Sequence, residues 1–135
     1  MADITFDDFT QVEIRTGTIL EAILNSKAIK SAYTLTIDFG PLGIKTSSAQ
    51  ITKNYSPENL IGLQITAVVN FPLKRIAGVK SEVLVLGAYS ENKEVVLLTP
   101  AESVEDGSLV GCVIVSVIDD SEWILLINLS LTSQV

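Results

Sequence analysis

Histidine is absent from the 135 residues, and cysteine occurs once, at Cys112. These shortages remove the Cys/His zinc sites, the Ser-His-Asp triads and the Cys-His dyads, because each needs imidazole or paired thiolates as ligand, base or nucleophile. A lone thiol cannot close an internal disulfide, which fits a reducing compartment. Positive charge is also scarce: nine Lys and Arg stand against sixteen Asp and Glu, a formal net charge of -7. Sequence-independent binding of nucleic acid draws its affinity from many phosphate-neutralising cations, so any such role here must rest on a local basic patch. No run approaches the roughly 20 apolar residues of a membrane-spanning helix, so no membrane insertion is expected. The opening Met1-Ala2-Asp3-Ile4-Thr5 is acidic and lacks the apolar core of a secretory signal, and a cytoplasmic location is the expectation.

What is present suffices for one core. With 47% hydrophobic residues, the length suits a single domain and a tail. Thr5 followed by Asp7 and Asp8 carries a helix-start signature, with Asp8 three residues beyond the cap. From Val12 the pattern alternates, Val12, Ile14, Thr16, Thr18 and Leu20 on one face and Glu13, Arg15, Gly17, Ile19 and Glu21 on the other, which predicts a long strand. Gly17 is where that strand is expected to bulge or bend, as the first strand of a small closed barrel must. Tyr33 to Phe39 alternates again and stops at Gly40-Pro41, and a third strand runs through Ile44 to Ile51. Ser56-Pro57-Glu58 to Gly62 reads as one short helix. Strands over Gln64 to Phe71, Ser81 to Ala88 and Glu94 to Leu98 follow, with Pro72 to Lys80 as a loop. Three strands, a helix, then further strands is the order of the OB-fold, so the expectation is an all-β, five-stranded Greek-key barrel with short helices. Sandwiches and other small barrels share much of this pattern.

Three stretches sharpen that reading: Val12 to Ile19 with its Ile14-Arg15-Thr16-Gly17 centre, Ile37-Asp38-Phe39-Gly40 with Ile44 to Thr52, and Val69 to Gly87. In these the sequence resembles the tRNA-binding-domain family of OB-folds, and most closely its stand-alone bacterial branch, the export-associated chaperones called CsaA. The resemblance spans residues 7 to 111. It departs from the family pattern at Leu73, where a second proline is usual, at Ile29 and Ser31, which replace Arg and Pro, and at Glu105, where Pro is common. Losing Arg and gaining Glu weakens the case for phosphate binding. The resemblance implies a homodimer without catalytic activity. It implies binding either of unfolded or pre-secretory polypeptide, in contact with the export machinery, or of tRNA.

The residues themselves offer a compact donor cluster for such a ligand. Lys74, Arg75 and Lys80 fall on one loop beside Ser81 and Asn70, pairing the Arg fork with mobile Lys charges and neutral donors. Ser47, Ser48 and Gln50 add uncharged donors, with Ser48 and Gln50 on one face of the third strand. Tyr33 is the favoured stacking platform; Ile76 is a further apolar candidate, and Phe39 and Phe71 are expected in the core. Arg15 is expected to pair with Glu13 or Asp38. Asp7, Asp8, Asp38 and Glu82 match no cation-binding loop, so no metal is expected, nor any cofactor or enzymatic activity.

Domain boundaries are expected at 1-111 for the OB-type domain and 112-135 for an apolar extension. In the latter, Cys112 to Ile118 and Trp123 to Leu129 flank Asp119-Asp120-Ser121-Glu122 and read as an extra hairpin. So apolar a segment has to cover the barrel, add to a dimer interface or promote aggregation through unpaired edges.

Overall fold

A computed structural model describes residues 1-112. The extension expected from residue 112 therefore lies, apart from Cys112, outside the described residues. Met1–Val12 and Gly111 belong to one compact unit and Glu13–Val110 to another. In the first, helix α1 (Phe6–Thr10) starts where the sequence suggests. Thr5 Oγ1 accepts from the Asp8 N–H at 3.1 Å and the Asp8 carboxylate accepts from the Thr5 N–H at 3.0 Å, so each side chain satisfies an orphan donor of the other's backbone.

The second unit runs β1 (Ile14–Leu24), β2 (Tyr33–Asp38), β3 (Ile44–Ala49), helix α2 (Pro57–Leu60), β4 (Gln64–Val68), β5 (Lys74–Ile76) and β6 (Val79–Ser81). It continues with β7 (Leu84–Val85), β8 (Gly87–Tyr89), β9 (Val95–Leu97) and β10 (Leu109–Val110). The main sheet is ordered β3-β2-β1-β4-β7, with β10 also paired to β1, and β5-β6 and β8-β9 form separate two-stranded pairs. Every pairing is antiparallel. This is the expected all-β OB-type barrel.

The long first strand serves both halves of the barrel. Its Thr18–Leu24 stretch pairs with β2, its Ile14–Thr18 stretch with β4, and β10 takes the edge that β2 leaves free at Ile14 and Arg15. The register slips between Ile19 and Glu21, so the bulge falls at Leu20 and not at Gly17 as expected. Gly17 has a different reason for being glycine: a β-carbon there would lie 2.7 Å from Ile37 Cγ2 and 2.8 Å from Phe39 Cδ1. The aromatic ring occupies the space a side chain would need.

Alternation on β2 sends Leu35 and Ile37 inward, and with Ile19, Phe39, Leu60 and Ile65 they are fully buried. Each such side chain contributes about 1.5–3 kcal/mol by leaving water. Helix α2 starts at Pro57 and supplies Leu60 to this core, and Gly62, at φ 87°, ends the connection into β4. The barrel is sealed by backbone bonds from the Glu82 N–H to Thr46 O at 2.8 Å and from the Thr16 N–H to Ser108 O at 3.0 Å. Arg15 is 3% exposed; its Nη1 donates to Gly107 O at 3.1 Å and its Nη2 lies 3.7 Å from the Glu13 carboxylate. The expected pairing with Glu13 is therefore present, and the guanidinium also holds the turn that precedes β10.

Candidate functional site

Residues 72-80, expected as a loop, contain most of a β-hairpin. Lys74 pairs with Ser81, Arg75 with Lys80 and Ile76 with Val79 across β5 and β6. The two-residue connection has both φ angles positive, Ala77 at 49° and Gly78 at 80°, the conformation of the tight hairpin turns that match strand twist. Alanine in a left-handed conformation costs about 1–2 kcal/mol. Ala77→Asn is accordingly expected to firm the hairpin by about 0.5–1 kcal/mol, read as slower amide exchange over Lys74–Ser81; unchanged exchange would contradict the turn assignment.

The base of the hairpin is fastened to β3. Thr46 Oγ1 donates to Lys80 O, the Thr46 N–H donates to Glu82 Oε2 at 3.0 Å, and the Ser48 N–H donates to Ser81 Oγ at 3.3 Å. The fastening leaves Lys74, Arg75 and Lys80 exposed on a braced support. Ser48 is half-buried and Gln50 exposed, so both reach solvent on the side expected for them.

Three other predicted positions have different roles. Tyr33, expected as a stacking platform, is 7% exposed and its hydroxyl donates to Tyr55 O at 2.7 Å. Ser47 is 1% exposed and its hydroxyl donates to Val83 O at 2.9 Å. Both are in phase with Leu35 and Ala49 on the inward side of the ladder, and neither offers a surface to a ligand. Asn70 is exposed, but its Oδ1 accepts from the Glu13 N–H at 2.9 Å, so the amide links the residue just before β1 to the segment leading into the hairpin. Ser47→Ala is expected to lower stability by about 0.5–1.5 kcal/mol, by leaving the Val83 carbonyl only the longer bond from Ser81 Oγ at 3.4 Å, with ligand affinity unchanged; a stability-neutral change that abolished binding would reverse this assignment.

Beside the hairpin lies an apolar groove of about 280 Å³, lined by Phe71, Pro72, Lys74, Ile76, Val83 and Leu84 among others. Phe71, expected in the core, is 54% exposed, and Leu84, which sequence reasoning missed, is 52% exposed. Leu84 gave no signal because Val83-Leu84-Val85-Leu86 is a continuous apolar run with no alternation to mark an outward face. A second depression, of about 310 Å³, includes Thr18, Gln64, Val104 and Asp106. Its polar groups bond one another: Thr18 Oγ1 to Asp106 Oδ1 at 2.6 Å, and Gln64 Nε2 to Val104 O at 2.7 Å and to Asp106 Oδ1 at 3.0 Å. That network is a seam of the barrel, and the first groove has the character of a ligand site.

Residues 14–109 match the family described as "Putative tRNA binding domain". The solved structure of the chaperone CsaA from Bacillus anthracis str. Ames superposes with a TM-score of 0.78 at 53% identity, covering 82% of this chain and all 100% of that one. The chain belongs to the tRNA-binding-domain family, in its CsaA branch. The CsaA chaperone protein of Picrophilus torridus is 50% identical, with a TM-score of 0.76 over 81% of this chain and 100% of its own. Outside the CsaA branch, the methionine–tRNA ligase of Porphyromonas gingivalis is 38% identical over 108 residues, 80% of this chain. The chain spans 16% of that ligase's length, so the likeness covers a single tRNA-binding-type domain of the larger enzyme. Among the described residues no helix is long and apolar enough to cross a membrane.

Proposed function

We propose that this CsaA-family protein is a non-enzymatic chaperone that holds unfolded or pre-secretory polypeptide in an extended form, with the groove between Phe71 and Leu84 as its contact surface. The observation that carries the reading is the exposure of Phe71, Ile76 and Leu84, at 54%, 37% and 52%, around one groove. Grouped apolar surface of this kind on a small domain marks a binding site for another chain. Lys74, Ser81 and Glu82 in its lining give the site polar anchors, and the excess of acids over the chain disfavours broad contact with a polyanion. The CsaA likeness supports action as a homodimer in the cytoplasm, in contact with the export machinery.

A second reading, tRNA binding, is favoured by the basic hairpin and by the family to which the chain belongs. In this reading Lys74, Arg75, Lys80, Ser81 and Ser48 hold an RNA by its backbone and shape. Titration of the protein with a labelled unfolded presecretory peptide and with labelled tRNA, at low and at physiological salt, separates the two. Peptide affinity that survives the higher salt while tRNA affinity disappears is the expected result. Tight tRNA binding at physiological salt with no peptide binding would favour the second reading, since phosphate contacts are the ones that salt weakens.

A further inference from the structure

The groove beside the hairpin combines a mostly apolar lining with one cation that lacks a partner. Alternation places Lys74, Ile76 and Ser81 on the hairpin face that lines it and turns Arg75 and Lys80 to the other face. Lys80 has Glu82 at 3.7 Å, whereas Lys74 has no carboxylate within ion-pair distance among the described residues. Phe71, Ile76 and Leu84 meet water at the same place. The surface is complementary to an occupant that is mostly apolar and carries acid beside its apolar part.

Such a sequence occurs in this same chain. Residues 113-135 hold the acids Asp119, Asp120 and Glu122 and no Lys or Arg, and the acids directly precede the run Trp123-Ile124-Leu125-Leu126-Ile127. The sheet register shows where that segment starts. Val110 stands opposite Ile14, Ile14 opposite Val68, and Val68 opposite Leu84. The end of β10 and the groove's Leu84 therefore fall on one row, three strand spacings or roughly 14 Å apart along the sheet. Both β4 and β10 run against β1 and leave it at its Ile14 end, β4 towards Phe71 and β10 towards the extension. Fully extended, residues 111-122 span at most about 40 Å, ample for that distance.

We propose that residues 123-129 dock in the groove of their own chain, with the acids at 119-122 against Lys74, and that an incoming unfolded polypeptide has to displace them. The inference rests on the polypeptide reading given above and adds regulation by competition to it. The chain's own segment is favoured over that of a second copy because a short tether holds it at a roughly millimolar effective concentration, whereas a second copy competes only at its bulk concentration. A groove covered in this way keeps Phe71 and Leu84 from water until a better-matched polypeptide arrives, which limits self-association through open apolar surface.

Trp123 is the sole tryptophan, so its fluorescence in the full chain reports the docking directly. The expected result is a blue emission maximum that does not depend on protein concentration. It should move to the red in Ile76→Ser with Leu84→Ser, and on saturation with a tryptophan-free unfolded presecretory peptide. It should stay in place in Val96→Ser, a control at an exposed apolar residue of β9. Leu125→Ser with Ile127→Ser, in the segment itself, should tighten peptide binding by about 3- to 10-fold, a gain that damage to the fold would not give. Emission unmoved by the groove variant overturns the inference alone, as does unchanged peptide affinity in Leu125→Ser with Ile127→Ser. A red shift on dilution puts the segment on a second copy and likewise overturns it. Failure of both the native chain and the segment variant to bind peptide overturns the polypeptide reading and this inference with it.

Discussion

Gly40→Ala should cost at least about 3 kcal/mol of stability, lowering the melting temperature by roughly 10 °C or more. Gly40 has φ 61°, and a β-carbon on it would stand 2.3 Å from the carbonyl oxygen of Asp106. The left-handed backbone alone costs an alanine about 1–2 kcal/mol. The larger part comes from displacing the 105-108 turn. That turn receives the Thr18 hydroxyl and the Gln64 amide on the Asp106 carboxylate, and the Gly107 N–H donates to Thr16 O at 2.8 Å. Gly62→Ala is the control, since Gly62 also has a positive φ, 87°, but open space around it. Equal losses in the two variants would show that backbone conformation matters and that the closing turn does not.

Ile76→Ser combined with Leu84→Ser should weaken binding of unfolded polypeptide by about 10- to 100-fold, since two partly exposed apolar side chains supply about 1.5–3 kcal/mol of contact in the complex. Both residues already meet solvent in the free protein, at 37% and 52% exposure, so the fold should lose little. RNA affinity should not change, because no cation is touched. Unchanged peptide affinity in a folded double variant would remove the groove from the site.

The barrel was legible because β2, with Leu35 and Ile37 turned inward and Thr34 and Thr36 half-buried, alternates cleanly, and because Gly40-Pro41 and Ser56-Pro57 punctuate the chain. The hairpin was not legible: its strands are three residues each, too short for a period to show, and its turn is Ala77-Gly78 where Asn-Gly would have announced it. Strand β10, two residues long, was missed for the same reason. The basic triad was readable from the sequence, whereas the bond from Asn25 Nδ2 to Ala77 O, which ties the β1–β2 connection to the hairpin, leaves no trace in residue type. Tyr33 and Ser47 misled in the opposite sense. Their polar atoms suggested a surface role, but the strand phase shared with Leu35 and Ala49 already placed them inside, where each has a backbone carbonyl as partner.

The most direct test of the proposed function is chemical-shift mapping of the protein titrated with an unfolded presecretory polypeptide at physiological salt. Saturable shifts are expected, centred on Phe71, Ile76, Val83 and Leu84 and extending onto Lys74 and Arg75. Shifts confined to the β8-β9 pair around Tyr89 and Val96, or no binding under conditions where tRNA shifts the hairpin, would contradict it.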